Sequence, residues 1–138
     1  MKKISIILIA CIIVGCNDGL TINQVYSFDL QTMPVPRRIA QGETVEIRCK
    51  IVKTGNYTGN MFYIRYFQPD GKGELKLDDG RILIPNDLYL LKKDVFRLYY
   101  TSHSAEQQVI DIYIVDSFGQ TVHRSFSFSN QIINEREE

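Results

Sequence analysis

The chain has 138 residues, and its 16 basic side chains balance 16 acidic ones, so its formal net charge at neutral pH is zero. This balance provides no electrostatic attraction toward a phosphate backbone and argues against a DNA- or RNA-binding protein. The length fits one domain with a buried core.

The amino terminus has the pattern of an export signal. Lys2 and Lys3 form a positive region, residues 4–14 form an apolar stretch interrupted by one serine, and Gly15 precedes Cys16. This stretch is too short for a transmembrane helix, which needs about 20 residues to cross the bilayer core. The segment resembles bacterial lipoprotein signals. That resemblance implies cleavage between Gly15 and Cys16 and acyl chains on Cys16.

Lipid on Cys16 would make this cysteine a membrane anchor and not a nucleophile, because two or three acyl chains hold a protein at a bilayer almost permanently. We expect residues 1–15 to be the signal peptide and residues 16–24 to be the lipidated tether. Cys11 would leave with the signal, so Cys49 alone remains in the domain. No internal disulfide is then possible.

From residue 25 onward, apolar side chains recur at every second position, which is the period of a strand with one buried face. Cys49 has the inward phase of such a strand and is interpreted as a small core residue. The predicted inward residues, strand by strand, are Tyr26, Phe28 and Leu30; Val45, Ile47, Cys49 and Ile51; Phe62, Ile64 and Tyr66; Phe96, Leu98 and Tyr100; Ile110, Ile112 and Ile114; and Val122, Phe126 and Phe128.

Turn signals separate these strands. Asp79-Gly80 predicts a two-residue hairpin loop of type I′ that joins residues 74–77 to residues 82–84. The run Met33-Pro34-Val35-Pro36 interrupts the first strand, and because proline cannot donate to a ladder, we expect that strand at a sheet edge. Residues 131–138 are polar and charged, so we expect a frayed tail.

Short strands with regular turn signals over residues 25–130 predict an all-β fold, namely an immunoglobulin-like antiparallel β-sandwich of about seven strands. A small barrel is the alternative. The chain has no tryptophan and no disulfide partner for Cys49. Two markers of antibody domains are therefore absent, but many unrelated sequences adopt the sandwich without them.

The sequence contains no recognisable catalytic or cofactor motif, such as a nucleophile elbow, a phosphate-binding glycine loop or a Cys-x-x-Cys pair. His103 falls in a predicted loop and His123 on the polar phase of the last strand, so both are interpreted as surface side chains. Acidic residues near the hairpin do not match a calcium-binding loop and are attributed to turn geometry and solubility. We therefore predict no catalytic residue, no metal site and no cofactor.

One outward-facing set of side chains is a candidate protein-binding patch. Two neighbouring strands of an immunoglobulin-type sandwich would supply most of it, and the last strand would add a histidine. Tyrosine and arginine are enriched at protein interfaces. Strand surfaces favour aromatic residues in any case, and this structural role is the simpler interpretation. The candidate residues are Tyr63, Arg65, Asp111, Tyr113 and His123.

Six longer segments of the chain carry a family resemblance. They are MPVP (33–36), GETVEIRC (42–49), IRYFQPDGKG (64–73), PND (85–87), FRLYYT (96–101) and DSFGQ (116–120). These segments resemble the TraQ family of conjugative-transposon proteins from Bacteroides-type bacteria, over nearly the whole domain. The resemblance implies an immunoglobulin-like lipoprotein, without an assigned enzymatic activity, from the gene set that moves an integrated element to another cell.

These observations together predict a non-enzymatic lipoprotein that is held at a membrane through lipid on Cys16 and contacts other conjugation proteins, but not nucleic acid. We expect it in the cell envelope, anchored by lipid in the outer membrane. The alternative is a surface ligand- or glycan-binding lipoprotein whose exposed tyrosines form the binding platform. An enzyme ranks third, because it would require a deep pocket with two or more titratable groups.

Overall fold

The computed structural model describes residues 26–55 and 59–130, and these residues form β-strands and loops without a helix. This part of the chain accordingly offers no helical segment able to cross a bilayer. The predicted signal peptide (1–15), the tether (16–24) with Cys16 and the tail (131–138) lie outside the described residues. The strands are β1 (Phe28–Thr32), β2 (Arg38–Ile39), β3 (Thr44–Lys53), β4 (Phe62–Asp70), β5 (Gly73–Leu77), β6 (Ile82–Leu83), β7 (Tyr89–Leu91), β8 (Val95–Ser102), β9 (Gln108–Asp116) and β10 (Thr121–Asn130).

The long strands form where inward and outward side chains alternate in character. Along β9 every second residue from Gln108 to Asp116 is buried, and β3 and β8 show the same alternation over most of their length. Because successive side chains of a strand point to opposite faces, burial of one face determines which residues enter the core. The predicted inward residues are buried, except Tyr26 and Val122, which are half-buried.

The strands form two five-stranded sheets, sheet 1 in the order β1-β3-β8-β5-β6 and sheet 2 in the order β2-β10-β9-β4-β7. Neighbouring strands are antiparallel except β2 and β10, which run parallel. Strands β1, β3, β8 and β5 of sheet 1 and β10, β9 and β4 of sheet 2 have the immunoglobulin arrangement. The short strands β2, β6 and β7 extend the sheet edges. The predicted sandwich is confirmed, and the barrel was the wrong alternative.

The first strand changes sheets at its prolines. β1 lies at the edge of sheet 1, and after residues 33–37 the chain continues as β2 at the edge of sheet 2. Pro34 and Pro36 have no amide hydrogen and cannot continue a ladder. A hydrogen bond from Met33 N to Arg48 O (3.0 Å) ends the first segment. The predicted edge position is therefore confirmed for both segments.

Aromatic side chains fill the apolar core near each end of the sandwich. Phe28 and Phe62 pack edge to face with ring centroids 4.9 Å apart, and Tyr100 stacks on Phe128 at 5.5 Å. Cys49 lies between them at 2 % exposure, and burial raises the pKa of its thiol to about 12. A thiol held neutral is a poor nucleophile. Cys49 thus packs as the small core residue that its phase predicted.

The hairpin between β5 and β6 differs from the predicted type I′ turn. Gly80 has a φ of +94°, but Asp79 does not have a positive φ. Gly80 N donates to Leu77 O (3.0 Å) and Leu77 N donates to Arg81 O (2.9 Å), which defines a three-residue loop. This geometry is a type I turn followed by a left-handed glycine. The turn prediction was wrong because it placed Asp79 in the left-handed region. The β9–β10 connection is built like this hairpin.

The chain enters the sandwich at one end and leaves it at the other. We define the upper end as residues 26–27, 54–55, 59–61, 92–94 and 117–120. The lower end comprises residues 40–43, 70–72 and 103–107 and the end of β10 at Asn130. Backbone and side-chain hydrogen bonds join the loops of each end, such as Gln120 Nε2 to Tyr26 O (3.0 Å) above and His103 N to Lys72 O (2.9 Å) below.

A buried hydrogen-bond network closes the lower end. The Tyr100 hydroxyl donates to Gln108 Oε1 (2.5 Å) and accepts from Gln68 Nε2 (2.7 Å), while Gln108 Nε2 donates to Ser102 Oγ (2.6 Å). Gly73 lies against the Tyr100 ring, and a Cβ at this position would fall within 2.3 to 2.5 Å of its atoms. Buried polar groups that are paired in this way favour a single packing arrangement.

Candidate functional site

The predicted binding residues lie on the outer face of sheet 2, where β4, β9 and β10 are neighbours. Arg65 is opposite Tyr113, and Tyr113 is opposite His123, so these three side chains form one row across the strands. Asp111 follows in the next row of β9, and Tyr63 precedes Arg65 on β4. The five residues therefore occupy three successive rows of one face, with Tyr63 at the margin beside β7.

Aromatic rings pack against one another across this surface. The Tyr113 ring stacks on the His123 imidazole with centroids 4.5 Å apart and planes 8° from parallel. Phe67 meets Tyr113 edge-on at 5.6 Å. Phe67 was missed as a binding residue, although it has the outward phase of β4, because its register opposite Asp111 could not be read from the sequence. We name this surface the aromatic patch, which consists of Tyr63, Arg65, Phe67, Asp111, Tyr113 and His123.

A carboxylate holds the histidine of the aromatic patch. His123 Nε2 lies 3.2 Å from Asp111 Oδ1, with the two side chains 46 % and 21 % exposed. A polar contact at such a surface contributes about 0 to 1 kcal/mol. Hydrolytic triads add a nucleophile that hydrogen-bonds to the histidine, and among the described residues no serine, threonine or cysteine side chain does so. The pair therefore orients the imidazole without forming a triad.

Arg65 is the cation of the aromatic patch, and one of its hydrogen-bond donors has no partner among the described residues. The side chain is half-buried, and its Nε is shielded from solvent without a hydrogen-bond partner among the described residues. Within the same residues Arg65 forms no ion pair. An unpaired buried donor costs about 1 to 3 kcal/mol. Because guanidinium groups bind carboxylates strongly and with defined geometry, the arrangement suits an acidic group from another molecule.

The outer face of sheet 1 carries charged side chains, in contrast to the aromatic side chains on the outer face of sheet 2. Glu46 Oε1 pairs with Arg48 Nε (3.0 Å) and with Arg97 Nε (3.3 Å). A cavity of about 550 Å³ lies over β1, β3 and β8, and its charged lining groups are the cations Arg48, Lys50 and Arg97. It is also lined by Cys49, whose thiol is held neutral by burial. This cavity therefore lacks an acid–base pair, and the described residues contain no cluster of three potential metal ligands.

Comparisons with known proteins agree on one family. The family model of the TraQ conjugal transfer protein matches residues 1–131. A conjugative transposon lipoprotein from Bacteroides eggerthii, solved by crystallography, is 42 % identical with a TM-score of 0.72, covering 77 % of this chain and 100 % of that chain. A lipoprotein from Bacteroides thetaiotaomicron, solved by NMR, is 47 % identical with a TM-score of 0.72 and coverages of 88 % and 98 %. No curated protein matches the chain.

A third relative supports the same assignment. Residues 27–141 of a conjugate transposon protein from Bacteroides vulgatus, solved by NMR, are 46 % identical, with a TM-score of 0.69 and coverages of 86 % and 97 %. The family match includes the amino-terminal segment as well as all ten strands. The family predicted from the six sequence segments is therefore confirmed. This chain belongs to the TraQ conjugal transfer protein family.

Proposed function

We propose that the chain is a non-enzymatic, lipid-anchored component of a conjugative transfer apparatus that contacts another transfer protein through the aromatic patch. Membership of the TraQ family indicates a role in conjugative transfer. The observation that carries the proposed contact is Arg65, a half-buried cation without an ion pair among the described residues. Aromatic rings beside it supply the apolar area that a protein interface needs.

The proposed anchor is lipid on Cys16. Support comes from the lysine-flanked apolar stretch that ends at Gly15 and from two relatives that are lipoproteins. Confinement to a membrane raises the effective concentration of the domain near membrane-bound partners, so that a modest contact surface suffices. We propose the outer membrane as its location. Mass spectrometry of the native amino terminus tests acylation of Cys16, and membrane fractionation tests the location.

The two outer faces of the sandwich support a contact through sheet 2. On sheet 1, the Glu46 carboxylate already pairs with two neighbouring arginines. On sheet 2, Arg65 Nε has no hydrogen-bond partner and the side chain has no ion pair within residues 26–55 and 59–130. A partner that supplies an acidic side chain and apolar area would therefore gain more on sheet 2. Catalysis is not proposed, because the cavity over β1, β3 and β8 has only cations as charged lining groups, and no nucleophile among the described residues hydrogen-bonds to the His123–Asp111 pair.

Glycan binding is the competing function, and the ring geometry of the aromatic patch argues against it. Sugar rings stack on the open faces of aromatic side chains. Here one face of Tyr113 is covered by His123, and Phe67 meets the same tyrosine edge-on. A glycan array probed with the purified protein tests this alternative, and we expect no specific binding.

The contact is tested by affinity purification of the tagged full-length protein from host cells that carry or lack the transfer genes. We expect an element-encoded partner to be recovered from the first cells. Arg65→Glu should reduce its recovery about 30-fold, as for an interface arginine worth about 2 kcal/mol. The frequency of element transfer should fall in parallel.

Arg97→Glu is the matched control, because it reverses an arginine on the outer face of sheet 1. This variant should recover the partner as the unmodified chain does. Equal recovery by the Arg65→Glu protein would exclude the aromatic patch as the contact surface. Recovery of the same proteins from cells without the transfer genes would argue against a conjugation partner.

A further inference from the structure

Of the eight large apolar side chains that are exposed in the described part of the chain, two lie at the upper end of the sandwich and none lies at the lower end. Met61 is 49 % exposed and Phe118 is 37 % exposed, and Leu90 lies just below them at 36 %. The described loops of the lower end expose no large apolar side chain. Clustered exposed apolar residues mark a contact surface more often than single ones do.

Phe118 is held at the tip of the upper end by a fixed turn. The buried carboxylate of Asp116 accepts hydrogen bonds from Phe118 N (3.0 Å) and Gln120 N (2.8 Å) through Oδ1, and from Gln120 Nε2 (2.7 Å) through Oδ2. Ser117 Oγ accepts from Met61 N (2.8 Å), which ties the neighbouring loop to this turn. The two exposed apolar residues are therefore presented together on a rigid support.

Two lysines border this apolar tip. Lys92 and Lys93 are exposed and line a groove of about 530 Å³ together with Met61 and Leu90. The acidic groups nearby are neutralised or buried. Asp94 pairs with Lys53 (2.9 Å), Asp79 pairs with Arg81 (2.8 Å), and Asp116 is 3 % exposed. The outermost charges of the groove are thus positive.

The chain reaches the sandwich at this same end. The Tyr26 carbonyl accepts from Gln120 Nε2, and the Tyr26 ring lies so close to Gly55 that a Cβ there would be 2.4 Å from ring carbons. Tyr26 follows Cys16 by ten residues. A segment of this length spans at most about 36 Å when fully extended. An acylated Cys16 would therefore hold the upper end within that distance of the lipid.

From this placement we propose that the upper end of the sandwich rests on the lipid surface, with Phe118 and Met61 among the headgroups and Lys92 and Lys93 against lipid phosphates. The inference rests on the proposed acylation of Cys16. Amphipathic lysines and buried apolar side chains are the groups that hold proteins at a membrane interface. With the upper end on the membrane, the aromatic patch would face parallel to the membrane plane. A neighbouring membrane protein could then contact it.

The absence of tryptophan from the chain provides a clean test. Phe118→Trp introduces a single fluorophore at the upper end, and His103→Trp introduces one at the lower end as the matched control. The mature acylated protein, which begins at Cys16, is reconstituted into vesicles of phosphatidylethanolamine and phosphatidylglycerol whose acyl chains carry bromine. We expect at least threefold stronger quenching for the Phe118→Trp protein than for the His103→Trp protein.

Charge reversal tests whether the two lysines contribute to the membrane contact. Lys92→Glu with Lys93→Glu, made in the Phe118→Trp background, should at least halve the quenching, whereas Lys72→Glu at the lower end should leave it unchanged. Equal quenching of the two tryptophan reporters in protein that floats with the vesicles would overturn the membrane contact but not the anchor. Protein that does not float with the vesicles would overturn both.

Discussion

The upper and lower ends of the sandwich are reached by the same long strands but are completed by different chemistry. At the lower end, hydrogen bonds of Tyr100 and Gln108 are buried under short polar loops. At the upper end, a single buried carboxylate supports a turn that exposes Phe118. The lower end therefore contributes mainly to stability, while the upper end presents a surface to its surroundings.

The largest effect that would separate the two ends comes from glycine substitutions. Gly73→Ala at the lower end would place a Cβ 2.3 to 2.5 Å from atoms of the Tyr100 ring. We expect a loss of about 2 to 3 kcal/mol in the free energy of unfolding, as for overpacked cores. Gly119→Ala at the upper end meets open space but has a φ of +83°. Its expected loss is about 1 kcal/mol, from backbone strain alone.

Urea unfolding of the two variants measures this difference. Equal losses would mean that the lower end repacks around the new methyl group without cost. The comparison between a closed and an open end would then fail at its strongest point.

A somewhat smaller effect should follow from removing one member of the lower network. Gln108→Leu leaves the Tyr100 hydroxyl without its acceptor and removes the hydrogen bond from Gln108 Nε2 to Ser102 Oγ. Unpaired buried groups cost about 1 to 3 kcal/mol, and we expect about 2 kcal/mol by urea unfolding. Gln107→Leu is the matched control, since Gln107 is exposed in the adjacent position. A network without energetic importance would give equal values for the two variants.

Alkaline pH offers a further test of the difference between the two ends. The core and the lower end contain buried groups that are neutral in the folded protein. Burial raises the pKa of the Cys49 thiol from 9.0 to about 12. Above pH 9 the unfolded chain loses this proton while the folded chain keeps it, so the free energy of unfolding falls as pH rises toward 12. The loss approaches about 1.4 kcal/mol per pH unit.

Unfolding between pH 8 and pH 11 checks this expectation. Cys49→Ala should show a shallower decline than the unmodified chain. Burial also raises the pKa of Tyr100 at the lower end, so Tyr100→Phe should flatten the decline above pH 10, the range in which an unfolded tyrosine ionises. Parallel curves for all three proteins would refute the assignment of the decline to these groups.

The strands could be predicted from the sequence because burial of one sheet face imposes a period of two. The turn between β5 and β6 could not, because Asp-Gly fits both a two-residue loop and a three-residue loop that ends on glycine. Two hydrogen bonds of the finished hairpin, from Gly80 N to Leu77 O and from Leu77 N to Arg81 O, decide between the two. Local sequence therefore determined the location of the turn but not its type.

The aromatic patch could be predicted in part, because immunoglobulin topology makes β4, β9 and β10 neighbours. Phe67 was missed because its contact with Tyr113 depends on the strand register, which places Phe67 opposite Asp111 and could not be read from the sequence. The lower network had a signal in the sequence, namely polar residues on an inward phase, Gln68 of β4 and Gln108 of β9. Both glutamines contact Tyr100 because the two sheets pack face to face. The alternation of residues along one strand gives no information about this packing.

The start of β1 and the end of β10 lie at opposite ends of the sandwich, and this placement has a mechanical consequence. β1 begins at the upper end and β10 finishes at the lower end, so tension applied at these two points would act along the strands. Hydrogen bonds of an antiparallel pair are perpendicular to its strands. A force along β1 would therefore act on all hydrogen bonds between β1 (Phe28–Thr32) and β3 at the same time. Held at both points, the sandwich would resist stretching by shear and would not peel open one bond at a time.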